Sequence, residues 1–381
     1  MRKIHWFVLI VILIIIIIFF YYHFSKKEDF YYFDGVIAID KREKKYVTVG
    51  YNNDNDLHYN KAKLTMYDNN KNKLLEKIYN IGLKSNFNDV IFDEKDVVVV
   101  GNYIKEEELK KSNTRGIIVK YDSKGNIIFK KDYYKYSSTV FNSINLVGDY
   151  YYITGQSYSS SEGGAVLLKV DKEGKIIWEK YSDKGKTSIY QDLVVVDDSI
   201  YVVGGYDDKG IIEKYDLDGN YLIGSEYNNM DKDGFTGIVS SQDNIFVVGS
   251  VLSDKNSSDA LIVKYNMDCD FERETLYHKD GLTKFYKLIV DNDSIITIGS
   301  ITIKNKNAQS IHNGLIGKYN FDVEEISVSV NEDERDDYFK DILLEDDNYI
   351  VVGYSAYEDG NYYSKFIRFS DALKVLSVDS Y

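Results

Sequence analysis

Proline is absent from all 381 residues, and cysteine occurs once, as Cys269. Without proline, turns are left to Gly, Asn and Asp. One cysteine excludes an internal disulfide and a thiolate metal site. No Lys/Arg cluster offsets a formal charge of −14, which repels phosphate backbones and argues against nucleic acid as a partner. The body of the chain lacks sustained helical periodicity. It also lacks a Gly-x-Ser-x-Gly elbow, a phosphate loop and a His-Glu-x-x-His pair, so no catalytic residue is named, no cofactor is expected and the chain is not read as an enzyme.

What the chain does contain is a repeat. An aromatic residue is followed three positions later by an aliphatic one, and then by a glycine closing an apolar run. The copies are Phe33/Val36/Gly50, Phe87/Val90/Gly101, Phe141/Ile144/Gly155, Tyr190/Leu193/Gly204, Phe235/Ile238/Gly249, Phe285/Leu288/Gly299 and Phe339/Ile342/Gly353. In all but the first, the aromatic and the glycine are 14 residues apart. Short apolar runs at this period predict propeller blades rather than a helical solenoid. The expected fold is all-β: a seven-bladed β-propeller of four-stranded antiparallel blades over residues 29–381. The aromatic is expected to wedge between adjacent blades, and the glycine to allow close backbone approach or a bulge. Blades two, three and four carry an Asp that opens, and a Gly that closes, the turn between their third and fourth strands. Blades one, five, six and seven lack that Gly, so their turns are expected to differ.

Ahead of the repeat, Met1-Arg2-Lys3 precedes an unbroken apolar stretch from Trp6 to Tyr22, and Lys26-Lys27 follows it. A helix over Ile4 to Phe24 would be about 31 Å long, enough to cross a hydrocarbon core of about 30 Å. The stretch is longer than a signal-peptide core and lacks a small-residue cleavage site. Residues 1–28 are therefore expected to form an uncleaved single-pass anchor, with the propeller on the extracytoplasmic side of the cell membrane.

Asp337-Tyr338-Phe339-Lys340-Asp341-Ile342 with Tyr349-Ile350-Val351-Val352-Gly353-Tyr354-Ser355, and Asp259-Ala260-Leu261-Ile262-Val263-Lys264-Tyr265, resemble the repeats of bacterial seven-bladed β-propeller surface proteins. This resemblance covers everything after the anchor. It implies a cell-surface or secreted propeller and no common reaction. Val170-Asp171-Lys172-Glu173-Gly174-Lys175-Ile176-Ile177-Trp178 also resembles a quinoprotein-type propeller repeat, although Trp178 is the only tryptophan after the anchor.

In this strand order the connections between second and third strands, and between blades, share one face and vary in length. Rigid strands that hold variable loops suit recognition. The expected function is a binding module for a protein or a cell-envelope glycan, with Tyr103, Tyr158, Tyr362 and Tyr363 as contacts, since tyrosine joins apolar area to a polar tip. A carbohydrate-active hydrolase or lyase using channel carboxylates and an envelope assembly scaffold are the alternatives. His58, His278 and His312 fall on the same face, with Asp280 as a conceivable acidic partner, but their spacing supports no metal site. The acidic tips Asp197-Asp198, Asp243-Asn244, Asp291-Asn292-Asp293 and Asp346-Asp347-Asn348 lie opposite and are accounted for as tight turns.

Overall fold

The computed structural model describes residues 33–53, 60–105, 113–228, 231–241, 243–254, 257–304, 310–331, 336–357 and 361–381. The expected anchor over 1–28, His58 and the side chain of Phe33 lie outside the described residues. Among the described residues every regular element is a strand, and no helix is long and apolar enough to cross a membrane.

The Val-, Ile- and Tyr-rich runs form 28 strands. They join as successive antiparallel meanders of four, here strands a to d. Three meanders stand as separate sheets, and the others appear in two eight-stranded sheets. Each eight-stranded sheet is two meanders touching through a single parallel bridge, Phe33 to Tyr362 in one and Ser258 to Leu282 in the other. The a strands are Phe33–Arg42, Lys84–Asp93, Ser138–Val147, Ile189–Val196, Asp231–Ser241, Leu282–Asp291 and Asp337–Glu345. Each packs against the a strands before and after it, so they line the centre. The d strands face outward, with exposed apolar residues such as Leu74, Ile127, Tyr221 and Ile326.

The b and c strands carry near-continuous buried runs, as in Val97–Val100 and Val247–Val248, because both faces of each meander are covered by neighbours. Separate apolar cores fill the spaces between successive meanders. One of them joins the last to the first, through Ile350, Val352 and Phe366 on one side and Val36, Tyr46 and Tyr67 on the other. The end strands do not complete each other's meander: Val375–Ser380 pairs within the last and Phe33–Arg42 within the first. The ring closes by side-chain packing beside the single Phe33–Tyr362 bridge, and the architecture is a β-propeller.

The register explains the irregular first copy. Phe87, Phe141, Tyr190, Phe235, Phe285 and Phe339 lie directly opposite the repeat glycines Gly101, Gly155, Gly204, Gly249, Gly299 and Gly353 on strand b. In the first meander the residue opposite Gly50 is Val36, not Phe33, which pairs with Asn53. Val36 therefore occupies the wedge position, and the 14-residue spacing holds there too. The expectation for Phe33 is corrected.

Every repeat glycine faces the carbonyl oxygen of the residue that precedes the wedge. A Cβ would stand 1.9 Å from that oxygen at Gly50, Gly204 and Gly299, 2.1 Å at Gly101 and Gly155, 2.0 Å at Gly249 and 1.8 Å at Gly353. A bulge follows immediately on strand a, so both roles expected of this glycine are present. Strand b runs on past Gly204 to Tyr206 and past Gly299 to Lys304, because the bulge on strand a takes up the close approach and leaves the pairing of strand b with strand c unbroken through both glycines. The wedge rings are buried against a small residue on strand c of the preceding meander. A Cβ on Gly116 would lie 2.7 Å from the Phe141 ring, and one on Gly314 would lie 2.3 Å from that of Phe339.

The c–d turns do not differ as expected. In each of them the fourth residue donates its N–H to the carbonyl of the first and adopts positive φ. That residue is Gly125, Gly174 or Gly219 in three meanders and Lys71, Cys269, Val323 or Leu373 in the rest. Cys269, Val323 and Leu373 are buried in the seams between meanders, so apolar contact offsets the left-handed conformation that glycine adopts freely.

Candidate functional site at the channel mouth

Two residues past the wedge, strand a presents Ala38, Asp89, Ser143, Asp192, Gly237, Lys287 and Asp341 to the central channel. Ser143 Oγ stands 2.9 Å from Asp89 Oδ2 and 2.7 Å from Asp192 Oδ1. The Lys287 ammonium reaches past side-chain-free Gly237 to Asp192 Oδ2 at 2.9 Å. Three of the carboxylates accept a backbone N–H from the next meander: Asp89 from Ile144 at 2.8 Å, Asp192 from Ile238 at 3.3 Å and Asp341 from Ile39 at 2.9 Å. The channel acids are thus latches between meanders.

Their electrostatics follow from crowding in a poorly solvated space. Burial pushes the Asp341 carboxyl up to about 7, against the pull of Lys287 and with Asp89 adding to the rise. Burial likewise raises Asp89. For Lys287 burial opposes the charge, but Asp192, Asp89 and Asp341 outweigh it and hold the ammonium protonated.

One residue past the wedge, at the bulge, three meanders carry a second latch. The Asn88 amide donates to the Phe141 carbonyl at 2.7 Å, Asn142 to that of Tyr190 at 2.8 Å, and the Thr236 hydroxyl to that of Phe285 at 2.8 Å. The two a strands near the chain's end carry Lys284-Phe285-Tyr286 and Tyr338-Phe339-Lys340 at this place. Tyr286 turns its hydroxyl to Ser300 Oγ at 2.9 Å. The Lys340 ammonium lies 4.9 Å from the centre of the Tyr286 ring and 5.5 Å from those of Tyr338 and Tyr354. Lys284 lies 5.8 Å from the Tyr286 ring. The aromatic group continues from Tyr338 to His312 and to Tyr354, each at 4.8 Å between ring centres, and from Tyr354 to Tyr362 at 6.0 Å.

Neither Lys284 nor Lys340 is paired with a carboxylate among the described residues. Burial first, and the neighbouring charge of Lys284 second, lower the Lys340 ammonium to about 8. Burial lowers Lys284 as well. Beside Lys284 opens a cavity of about 340 Å³ that it helps to line with Tyr286, Thr302, His312 and Tyr338; the Lys340 ammonium stands against the Tyr286 ring. A second cavity, of about 480 Å³, shares Lys284 and extends under the Tyr206-Asp207-Asp208 turn. Both open on the face of the variable connections.

The residues expected from sequence fall unevenly around this site. Tyr362 belongs to its aromatic group and donates to Asp336 Oδ2 at 3.2 Å. Tyr363 packs edge-on against Tyr357, 5.0 Å between ring centres. Tyr158 lies on another meander with 36% of its surface exposed. Tyr103 is not a contact residue. At 1% exposure it is sealed in the seam between the first two meanders, its hydroxyl 3.0 Å from Asp132 Oδ2, because strand alternation turns it inward at that position. His278 meets Asp259 at 2.6 Å rather than Asp280, and His312 meets Thr302 at 2.8 Å, so the two imidazoles have separate partners. At the opposite tips Asp197, Asn292, Asp346 and Asp347 adopt positive φ, the geometry that a tight hairpin turn demands.

Lys284, Tyr286, Lys340, the three latch aspartates and Lys287 are not marked as site residues by the sequence alone. Their signal was present as the residues that flank each repeat aromatic, which become comparable only once the copies are aligned on it.

No protein-family model matches the chain, and no curated protein matches it in sequence. Solved structures do match. The β-propeller domain of the trilobed protease from Pyrococcus furiosus, described as having an open velcro topology, is 10% identical, with a TM-score of 0.51 over 88% of this chain and 93% of that one. The polysaccharide lyase Uly1 is 9% identical, with a TM-score of 0.53 over 87% of this chain and 88% of that one. At such identity the likeness is one of fold.

Proposed function

We propose that this β-propeller has seven blades, is tethered outside a cell membrane by residues 1–28, and serves as a binding module for a protein or cell-envelope glycan. Its binding site is the channel mouth around Lys284, Tyr286, Tyr338 and Lys340. One observation carries this reading: on two adjacent inner strands, at the bulge where three others carry an interblade latch, aromatic rings stand with two ammonium groups that have no carboxylate partner among the described residues, and Lys284, Tyr286 and Tyr338 line a cavity. A bulge is a place where a strand re-aims a side chain. The channel carboxylates, by contrast, are occupied with backbone N–H groups. Nucleic acid is disfavoured as a partner by the charge of −14.

Capture of envelope material by the full chain in detergent micelles tests the site. Tyr338→Ala and Lys340→Met are expected to lose the captured protein or glycan while Tyr158→Ala retains it. Retention by all three would move the site off the mouth. The tether is checked by protease treatment of intact cells, and a propeller shielded until lysis would place it on the other side.

A second reading, a carbohydrate-active enzyme of the cell envelope, is favoured by the adjacent Lys340 and Asp341, whose protonation is displaced to about 8 and about 7, the range of acid–base catalysis. It requires turnover of a polysaccharide that Asp341→Asn abolishes while binding persists.

A further inference from the structure

We infer that the channel mouth binds a carboxylate-bearing sugar of an acidic glycan, with its carboxylate between Lys284 and Lys340 and its ring against the tyrosine faces. This rests on the mouth being the binding site, as proposed above. The argument begins from charge. Acidic residues outnumber basic ones, 61 to 47, and other buried lysines have partners. Lys120 meets Asp93 at 2.6 Å, Lys287 meets Asp192 at 2.9 Å, Lys365 meets Asp337 at 2.8 Å, and Lys61 donates to the Gly82 carbonyl at 2.7 Å. Lys284 and Lys340 are instead half-buried, close enough to repel one another, and set against aromatic rings with no carboxylate partner among the described residues. Two like charges taken from water without a counter-charge are costly unless a ligand supplies one.

The rings narrow the ligand's class. Tyr286 and Tyr338 line the cavity, and a tyrosine ring joins apolar area that suits the C–H face of a sugar to a polar tip. A further cavity of about 680 Å³, lined by Lys279 and Lys304, shares Leu282 and Thr302 with the mouth cavity, so there is space for a ligand longer than one sugar unit beside it. Asp280 lines that further cavity, and Asp336 beside the mouth is engaged by the His312 N–H at 2.8 Å and by Tyr362. Neither carboxylate pairs with Lys284 or Lys340.

The test is calorimetric titration of the full chain in detergent micelles with hexameric oligogalacturonate, hexameric alginate, maltohexaose and a hexaglutamate peptide. At least one carboxylated hexasaccharide is expected to bind, at least about tenfold more tightly than maltohexaose or hexaglutamate, and to weaken as salt rises. Lys284→Met and Lys340→Met are each expected to weaken it about tenfold or more, with the melting temperature unchanged or raised, because each removes an uncompensated ammonium. A lowered melting temperature in both variants would overturn the charge argument. Binding of neither acidic hexasaccharide at millimolar concentration would overturn the inference. Preference for hexaglutamate would replace it with an acidic-peptide site. If maltohexaose binds equally well and Tyr338→Ala abolishes it, the mouth stands as the site and the acidic ligand falls. If capture of envelope material is also indifferent to Tyr338→Ala and Lys340→Met, the mouth itself is wrong.

Discussion

At the scale of the residue, the repeat glycine and the channel aspartates show how close packing dictates chemistry. The Val140 carbonyl occupies the space that a side chain at residue 155 would need, at 2.1 Å from its Cβ, and neither backbone can retreat without breaking the a–b ladder. Gly155→Ala is expected to cost about 3 kcal/mol or more. Gly148→Ala, at φ 58° in a turn with open space around it, should cost only about 1–2 kcal/mol from the left-handed conformation. Chemical denaturation of the two variants makes the comparison, and equal losses would remove the close-approach argument. Asp341 gives a pH prediction. Its carboxyl is expected to titrate near 7 by carbon NMR rather than near its ordinary 3.8. Between these values the folded chain keeps a proton that the unfolded chain releases. Its contribution to stability is therefore fully present below about 4, falls as pH rises towards about 7, and is level above that. A midpoint below about 5 would show that the channel is well solvated.

At the scale of the element, the blades are matched in pairs by a code that the repeat conceals until it is aligned. Six residues past the wedge, Asp93, Asp291 and Glu345 end their a strands with an acid. In each case the following blade has a tyrosine four residues before its repeat glycine, namely Tyr151, Tyr349 and Tyr46. The hydroxyls of Tyr151 and Tyr349 donate to Asp93 and Asp291 at 2.6 Å, and Tyr46 donates to Glu345. Where the acid is missing, after Arg42, Val147, Val196 and Ser241, the facing residues are the apolar Val97, Ile200, Ile245 and Ile295. A buried carboxylate needs its donor, and a buried hydroxyl needs its acceptor, so the two positions change together. A double-mutant cycle on Asp93→Asn and Tyr151→Phe is expected to show a coupling of about 0.5–3 kcal/mol. Additive losses would mean that the pair is incidental.

At the scale of the whole molecule, closure rests on one seam, where side-chain packing joins the Phe33–Tyr362 bridge and the Ile39 N–H donated to Asp341. Phe366 is fully buried there, edge-on to Tyr67 and Tyr381 at 5.2 and 5.5 Å between ring centres. Phe366→Ala is expected to destabilise the chain by about 3–5 kcal/mol, as much as Phe246→Ala in an internal seam. A loss below about 1 kcal/mol in denaturant unfolding would mean that the first and last blades are not sealed by packing. The proposed division of labour also belongs to this scale, with latches inside the channel and unpaired cations at its mouth.

The amino-acid order alone determined the strands, the four-strand unit and the spacing of wedge and glycine, because these depend on alternation, turn chemistry and contacts that recur at each copy. It left Val36 unrecognised as the first wedge, since a valine carries no aromatic signal and only pairing with Gly50 reveals its place. It also assigned Tyr103 to the surface, because a loop-proximal tyrosine reads the same whether it faces water or a neighbouring blade. The tertiary structure alone decided the candidate site. Lys284 and Lys340 are 56 positions apart and unremarkable in a lysine-rich chain. What distinguishes them is the company of each other and of three tyrosine rings without a carboxylate, a property of convergence in space that no single segment encodes.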